Sequence, residues 1–568
     1  MSQRKSIRSV FTDSFITYLV LVLSVVLLLS ACDSGSAVRA PSGGGAPALS
    51  LPEVAPELRL FGKTDREINE EAPVPAQCYT RTEGVHNPCY VCHQVYTAET
   101  DKPRMNKLDD GGLQGVYLFS DVGMENHWKN LFIDKREWAA QISDETILAY
   151  INQDNYQALP ERLRQQNWQG FVPDLNHFAE PEKAFDEQGL ARDGSGWVAF
   201  NYKPFPSTFW PTNGSTDDVL IRLPEAFRQH NGKFDWLMYQ LNLSLLEMNI
   251  KQLDSIRIPV VDEQHYGVDL NGDGALAETT NLVSHQHYLG DAKQIAVVTQ
   301  QFPEGAEFMH SVRYLGIDAN GETVVPPRMK ELRYMKKVRS LSADDLDNRY
   351  RRERKEKSTG ELPYFVDYRE LGMENGMGWL LQGFIEDYDG ELRPQSHEET
   401  FACMGCHAAI GTTIDQTFSF ARKITGPEGF GYINLRGMKD APSIAESGGE
   451  ILNYLKRAAG GNEFRENDEM RARWYRADGS VDEENVKAAD VFTLLTPSRE
   501  RALLLNKAYT YLVRHQSYVN GRDITVAGAK NVYDAIVDDI PPLQPESRFF
   551  GWDLRLDWSE SPAAVAEK

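Results

Sequence analysis

Cys89-Tyr90-Val91-Cys92-His93 and Cys403-Met404-Gly405-Cys406-His407 repeat one pattern, Cys-x-x-Cys-His, at two distant places in the chain. The spacing has a chemical reason. Two thiols one turn apart each reach one vinyl group of a porphyrin, and the histidine that follows falls beneath the iron as its proximal ligand. A chain that carries the pattern twice must close its fold around two flat, apolar macrocycles. The competing reading is a disulfide or zinc pair beside an accidental histidine. Zinc asks for a second Cys or His pair at regular spacing, and neither motif has one nearby. The expectation is therefore two covalently bound haem c groups, held by Cys89, Cys92, Cys403 and Cys406, with His93 and His407 on the irons.

Attachment of this kind belongs outside the cytoplasm, and the start of the chain agrees. Arg4, Lys5 and Arg8 precede an apolar run from Phe15 to Ala31, broken only by Thr17, Tyr18, Ser24 and Ser30. The run ends Leu29-Ser30-Ala31-Cys32, which resembles the lipobox of bacterial lipoproteins. That resemblance implies cleavage before Cys32, lipidation of Cys32, and a protein anchored on the periplasmic side or outer surface of a bacterial membrane. Inner and outer membrane both stay open. Lipid and haem together account for five of the 6 cysteines. Cys78 is left over, to be read as an inert buried thiol or, less economically, as a thiolate ligand.

Composition sets the partners. The net charge of −23 makes nucleic acid an unlikely partner and, among redox partner proteins, favours a basic one or one with a basic docking face, with the membrane reached through the lipid anchor. Residues 1–31 read as signal peptide, and residues 32–58, with Gly43-Gly44-Gly45, as a flexible tether. Residues 59–255 form a first haem c region, in which Phe234 to Leu253 has the apolar spacing of a helix. Residues 256–345 alternate in short runs and read as a β-rich insert. Its expected strands are Ser255 to Val260 and Ala296 to Thr299, followed by a hairpin around Asp318-Ala319-Asn320-Gly321. Ser342 then opens a charged helix through Arg349, Arg351, Arg352, Arg354, Lys355 and Lys357, either a solvated face or a docking face for an acidic partner. Residues 346–568 form a second, mainly helical haem c region, in which Thr496 is expected to cap the helix from Pro497 to Tyr518. The fold class expected is α+β, with mainly helical haem regions around the β-rich insert.

What faces each iron from its far side decides the chemistry. A second His or a Met suits electron transfer, and an open position admits a small substrate. His310, Met438 and His515 are the candidates, in that order. A calcium loop is also present in outline. Asp269, Asn271, Asp273 and the Ala275 carbonyl fall at alternate ligand positions, Gly274 stands at the sharp turn, and Glu278 replaces the usual last ligand, whose place Thr280 takes.

Through its lipobox and its two Cys-x-x-Cys-His motifs the chain resembles bacterial dihaem c-type cytochrome lipoproteins. The resemblance covers only those residues. It implies one-electron transfer in the cell envelope. One alternative is a dihaem peroxidase- or oxidase-like enzyme with one open iron, for which the large protein body and the aromatic Pro204 to Trp210 segment speak. Another is a redox subunit or scaffold of a respiratory complex.

Overall fold

The computed structural model describes residues 51–53, 70–94, 115–206, 211–460, 467–537, 540–548 and 552–559, and these belong to one compact unit. The expected signal peptide, Cys32 and nearly all of the expected tether lie outside the described residues. At the centre is an antiparallel sheet of nine strands. In chain order these are β1 (Val198–Ala199), β2 (Thr216–Asp217), β3 (Leu220–Arg222), β4 (Glu307–Arg313), β5 (Met329–Lys337), β6 (Val366–Asp367), β7 (Met373–Glu374), β8 (Trp379–Glu386) and β9 (Leu392–Pro394). They run across the sheet as β1-β3-β4-β5-β8-β7-β6, with β2 paired to β4 and β9 to β8.

This sheet overturns the expected fold class. The two regions expected to hold haem are not mainly helical, because strands from residues 198–222 and 366–394 complete a sheet whose middle comes from residues 307–337. The expected strand over Ala296 to Thr299 is a loop, with one isolated bridge from Ala296 to His287. Ser255–Asp262 does form a strand, and it pairs with Glu278–Val283 outside the main sheet.

Register gives the sheet two different faces, because side chains alternate along each strand. Leu332 and Tyr334 of β5 share a face with Met309 of β4, Phe384 of β8 and Leu220 of β3. That face packs on Leu159, Leu163 and Trp197. The opposite face is mixed. Phe308, Met335, Leu381 and Ile221 make its apolar end. Asp217, His310, Glu331 and Arg333 make its polar end.

Helix α1 (Trp236–Lys251) starts where Asp235 accepts from the amide of Met238 (3.0 Å) and stops at Gln252, which turns left-handed at φ 56°. It is buried on nearly every side, so its polar residues need partners inside the protein. Glu247 supplies them, bonding Lys251 at 2.5 Å and Lys423 at 2.8 Å. Helix α2 (Ala343–Thr359) begins as a reciprocal cap between Ser342 and Asp345, as the sequence predicts. Helices α3 (His397–Phe401) and α4 (Met404–His407) follow the sheet, and α5 (Arg499–His515) is capped by Ser498 rather than Thr496.

Candidate functional site

The two Cys-x-x-Cys-His segments fold alike. In the first, the amides of Cys92 and His93 donate back to the Cys89 carbonyl at 3.1 and 2.9 Å. In the second, the amides of Cys406 and His407 donate to the Cys403 carbonyl at 3.2 and 3.0 Å. Each segment is thus a single helical turn that sets two half-buried sulfurs one turn apart. Tyr90, Val91 and Met404 enter the same core cluster, and Cys92 and Cys403 pack at its rim. The Thr412 amide donates to the Cys92 carbonyl at 3.3 Å, joining the loop after His407 directly to the first turn. At Gly405 a Cβ would stand 2.7 Å from the Pro73 carbonyl oxygen, so glycine lets residues 73–75 close over the second turn.

His407 donates Nδ1–H to the Gln416 carbonyl at 2.9 Å, which fixes the tautomer and leaves the lone pair on Nε2. Burial holds its imidazole down to about 4, so it is neutral at pH 7. Burial also pushes the thiols of Cys89 and Cys406 up to about 11. Neither is the low-pKa thiolate of a disulfide oxidoreductase. Aromatic rings run from one turn to the other. Tyr90 meets Trp552 at 6.3 Å, Trp552 meets Phe205 at 5.9 Å, Phe205 meets Phe418 at 4.6 Å, and Phe418 meets the His407 ring at 5.8 Å.

The polar end of the sheet faces the second turn. Arg333 acts electrostatically on Cys403, Cys406 and His407, and also on His310, its partner across β4 and β5. His310 points Nδ1 at the Asp218 carbonyl and, like His407, is held down to about 4 by burial, with Arg333 adding to it. Burial resists ionisation of Glu331. Arg333 at 3.0 Å and Arg522 at 2.8 Å outweigh it and bring the carboxyl down to about 2. Gln395 donates to Glu331 at 3.1 Å and lies over Gly383, where a Cβ would sit 2.2 Å from its amide oxygen. Beyond Gln395 opens a cleft of about 300 Å³ between the sheet and α3, with Gly383, Gln395, His397 and Thr400 in its wall. Sequence reading found His310 but missed Asp217, Glu331, Arg333, Gln395 and Arg522. The available signal was a run of charges, Lys330, Glu331 and Arg333, inside a segment otherwise fit for a central strand.

Asp217 gives this face a pH dependence. Burial, reinforced by the neighbouring Asp218, pushes its carboxyl up to about 7, while the Tyr202 hydroxyl donates to it at 2.9 Å. Between the ordinary aspartate value and pH 7 the folded chain keeps a proton that the unfolded chain releases, so stability falls as pH rises through that window. Asp217→Asn should remove the slope and raise stability at pH 8 by ~2 kcal/mol, read from urea unfolding at pH 5 and pH 8.

The other predicted ligands lie elsewhere. Met438 is buried with Ile451, Leu455, Met470 and Trp474, in a different cluster from the two turns. His515 ends α5 stacked on Tyr511 at 3.9 Å, with Nδ1 on the Tyr511 carbonyl at 2.8 Å. In the calcium-like loop, Asp269 accepts from the amides of Gly272 and Gly274, and Asp273 accepts from that of Ala275. Asn271 accepts from the Asp273 amide, and Glu278 is exposed in the strand that follows. The buried carboxylate of Glu263 holds the loop from beneath, through the amides of Leu270 and Ala277. Among the described residues, no three His, Cys, Asp or Glu side chains group as a metal site. Cys78 lies in an apolar cluster with Tyr79, Phe401 and Ala402, next to the second turn.

A model of a lipoprotein family matches residues 63–491, a span that contains both turns. The chain belongs to this family and is a lipid-anchored protein of the cell envelope. An uncharacterized lipoprotein of Aquifex aeolicus (strain VF5) is 32% identical over 551 residues, covering 85% of this chain and 92% of its own length. No solved structure matches. Among the described residues, no helix is long and apolar enough to cross a membrane.

Proposed function

We propose that this lipoprotein is a dihaem c-type cytochrome that carries out one-electron transfer in the cell envelope. The observation that carries the reading is the matched pair of turns, far apart in sequence and bonded to each other through Thr412 and Cys92. The donor set fits covalent haem. Each turn offers two thiols on one side and an adjacent imidazole, and at His407 the Gln416 carbonyl sets the ring so that Nε2 is the ligating nitrogen. Haem at these turns supplies reversible one-electron iron chemistry. The chain's own part is to hold the imidazoles, keep water out and pack the space between the turns. Phe205, Phe418 and Trp552 do the last, which favours exchange between the two centres over two independent sites. The partners in this reading are redox proteins. The calcium loop is a second, structural proposal and plays no part in the transfer.

A specific observation favours the enzyme alternative at the second turn. Buried Glu331 and half-buried His310 and Arg333 form a polar wall there, and the cleft beyond Gln395 opens beside it. Absorption and magnetic resonance spectra of the mature protein separate the two readings. Low-spin bands from both haems, unmoved by cyanide, carbon monoxide or peroxide, are the expected result. A high-spin component that binds cyanide would overturn electron transfer as the primary role and assign His310 and Arg333 to substrate.

A further inference from the structure

Helix α2 sits on the second turn. Its inner residues Leu346 and Tyr350 pack with Leu341 and Met377 against Ala409, two residues beyond His407. Its C-terminal half carries Arg351, Arg352, Arg354 and Lys355, all exposed, with Arg352 paired to Glu356 at 2.6 Å, while the acidic residues Asp344, Asp345 and Asp347 are confined to its first turns. The chain leaving α2 then presents apolar side chains to solvent: Tyr364 is 75% exposed and Tyr368 51%, with Val366 and Leu371 beside them. This stretch includes β6, the outermost strand of the sheet, which among the described residues pairs with β7 alone. Between the exposed residues Phe365 turns inward and meets Phe401 at 5.7 Å, two residues before Cys403. One layer of side chains thus separates the patch from the second turn.

We propose that the outer face of α2, with Tyr364, Val366, Tyr368 and Leu371, docks an acidic soluble electron-transfer protein at the second turn. The proposal rests on the redox reading of that turn. Charge selects the occupant. On a chain of net charge −23, a basic partner is attracted over most of the surface, whereas an acidic one is repelled everywhere except at a local positive patch. The patch also has part of the make-up of an interface, with exposed aromatic side chains in the stretch that follows the arginine-bearing helix. Both components lie against the segment through which an electron would pass.

The test uses the mature, haem-loaded chain, with an acidic flavodoxin as probe and anionic phosphatidylglycerol vesicles as the competing surface. Calorimetry measures binding, and stopped-flow absorbance measures reduction by the flavodoxin hydroquinone. Flavodoxin should bind, and both affinity and rate should fall as salt rises. Arg351→Glu with Arg354→Glu and Lys355→Glu should weaken binding by about tenfold or more and slow reduction in parallel. Tyr364→Ser with Tyr368→Ser should weaken binding at every salt concentration, while Lys487→Glu, on a remote helix, should change nothing. All these side chains are exposed, so the fold survives the changes. Flavodoxin binding that ignores the triple variant overturns the proposal, as does capture of α2 by vesicles in its place. If no haem is attached, the redox reading falls, and the binding measurement still decides the docking surface.

Discussion

Cys403→Ala with Cys406→Ala should yield a folded lipoprotein that carries one covalent haem in place of two. The corresponding Cys89→Ala with Cys92→Ala should remove the other. The effect is all-or-none at each turn, because the thioethers are the only covalent link and each needs its own sulfur. Cys78→Ala is the matched control. It too removes a half-buried cysteine beside the second turn, but outside the Cys-x-x-Cys-His frame, and both adducts should remain. Acid-acetone extraction followed by intact mass reads the outcome, with haemochrome spectra giving the stoichiometry. The fold should outlast either double change. The second turn is anchored by Met404 in the core and by Phe401 against Phe365, and the sulfurs lie at the rim of that packing. Two extractable haems in the unaltered chain, or no colour at all, would end the dihaem reading.

What the sequence discloses of this site is what lies within one turn of backbone. Cys-x-x-Cys-His carries its own geometry, because hydrogen bonds within five residues impose it, and both turns fold as the spacing predicts. The same holds for the cap at Ser342 and the limits of α1, where Asp235 and Gln252 act locally. The sheet is different. Its edge strands are two or three residues long, too short for period-two alternation to register, and they exist because β4, β5 and β8 offer them a partner. Strand β5 hides itself in another way. Met329-Lys330-Glu331-Leu332-Arg333 puts three charges into a segment otherwise fit for a central strand, and each finds a partner only through the fold, Lys330 at the Gly214 carbonyl and Glu331 at Arg333 and at Arg522 from far along the chain. The polar wall at the second turn was therefore invisible until tertiary pairing placed its members. His310 could be singled out from its apolar neighbours, but nothing local joins it to Arg333 across the sheet.

The largest expected effect on stability falls at a site remote from any motif. Glu450→Gln should cost the fold ~3–5 kcal/mol, the usual penalty for breaking a buried ion pair by removing one partner. Glu450 lies fully inside, bonded to Arg422 at 2.7 Å and 2.5 Å and to Lys203 at 2.7 Å, and Lys203 also reaches Asp440 at 2.8 Å. The amide of glutamine fills the same volume but supplies no charge, so two cations remain buried against a single carboxylate. Burial resists ionisation of Glu450, yet Arg422 and Lys203 outweigh it and hold its carboxyl below the ordinary glutamate value. Its contribution is therefore present at neutral pH and lost as pH falls through the depressed folded value, and the variant should lack that acid-side loss. Arg422 also donates to the carbonyls of Lys203, Pro204 and Leu554, tying together the segments that carry Phe205, Phe418 and Trp552. Losing the carboxylate should then loosen the packing between the two turns before the sheet yields. Urea unfolding of the variant at pH 7 should show the drop in midpoint, and near-ultraviolet circular dichroism should report the loss of fixed aromatic packing at lower urea than far-ultraviolet signal from the sheet. Coincident transitions at an unchanged midpoint would mean that this network contributes nothing to the clamp around the two turns.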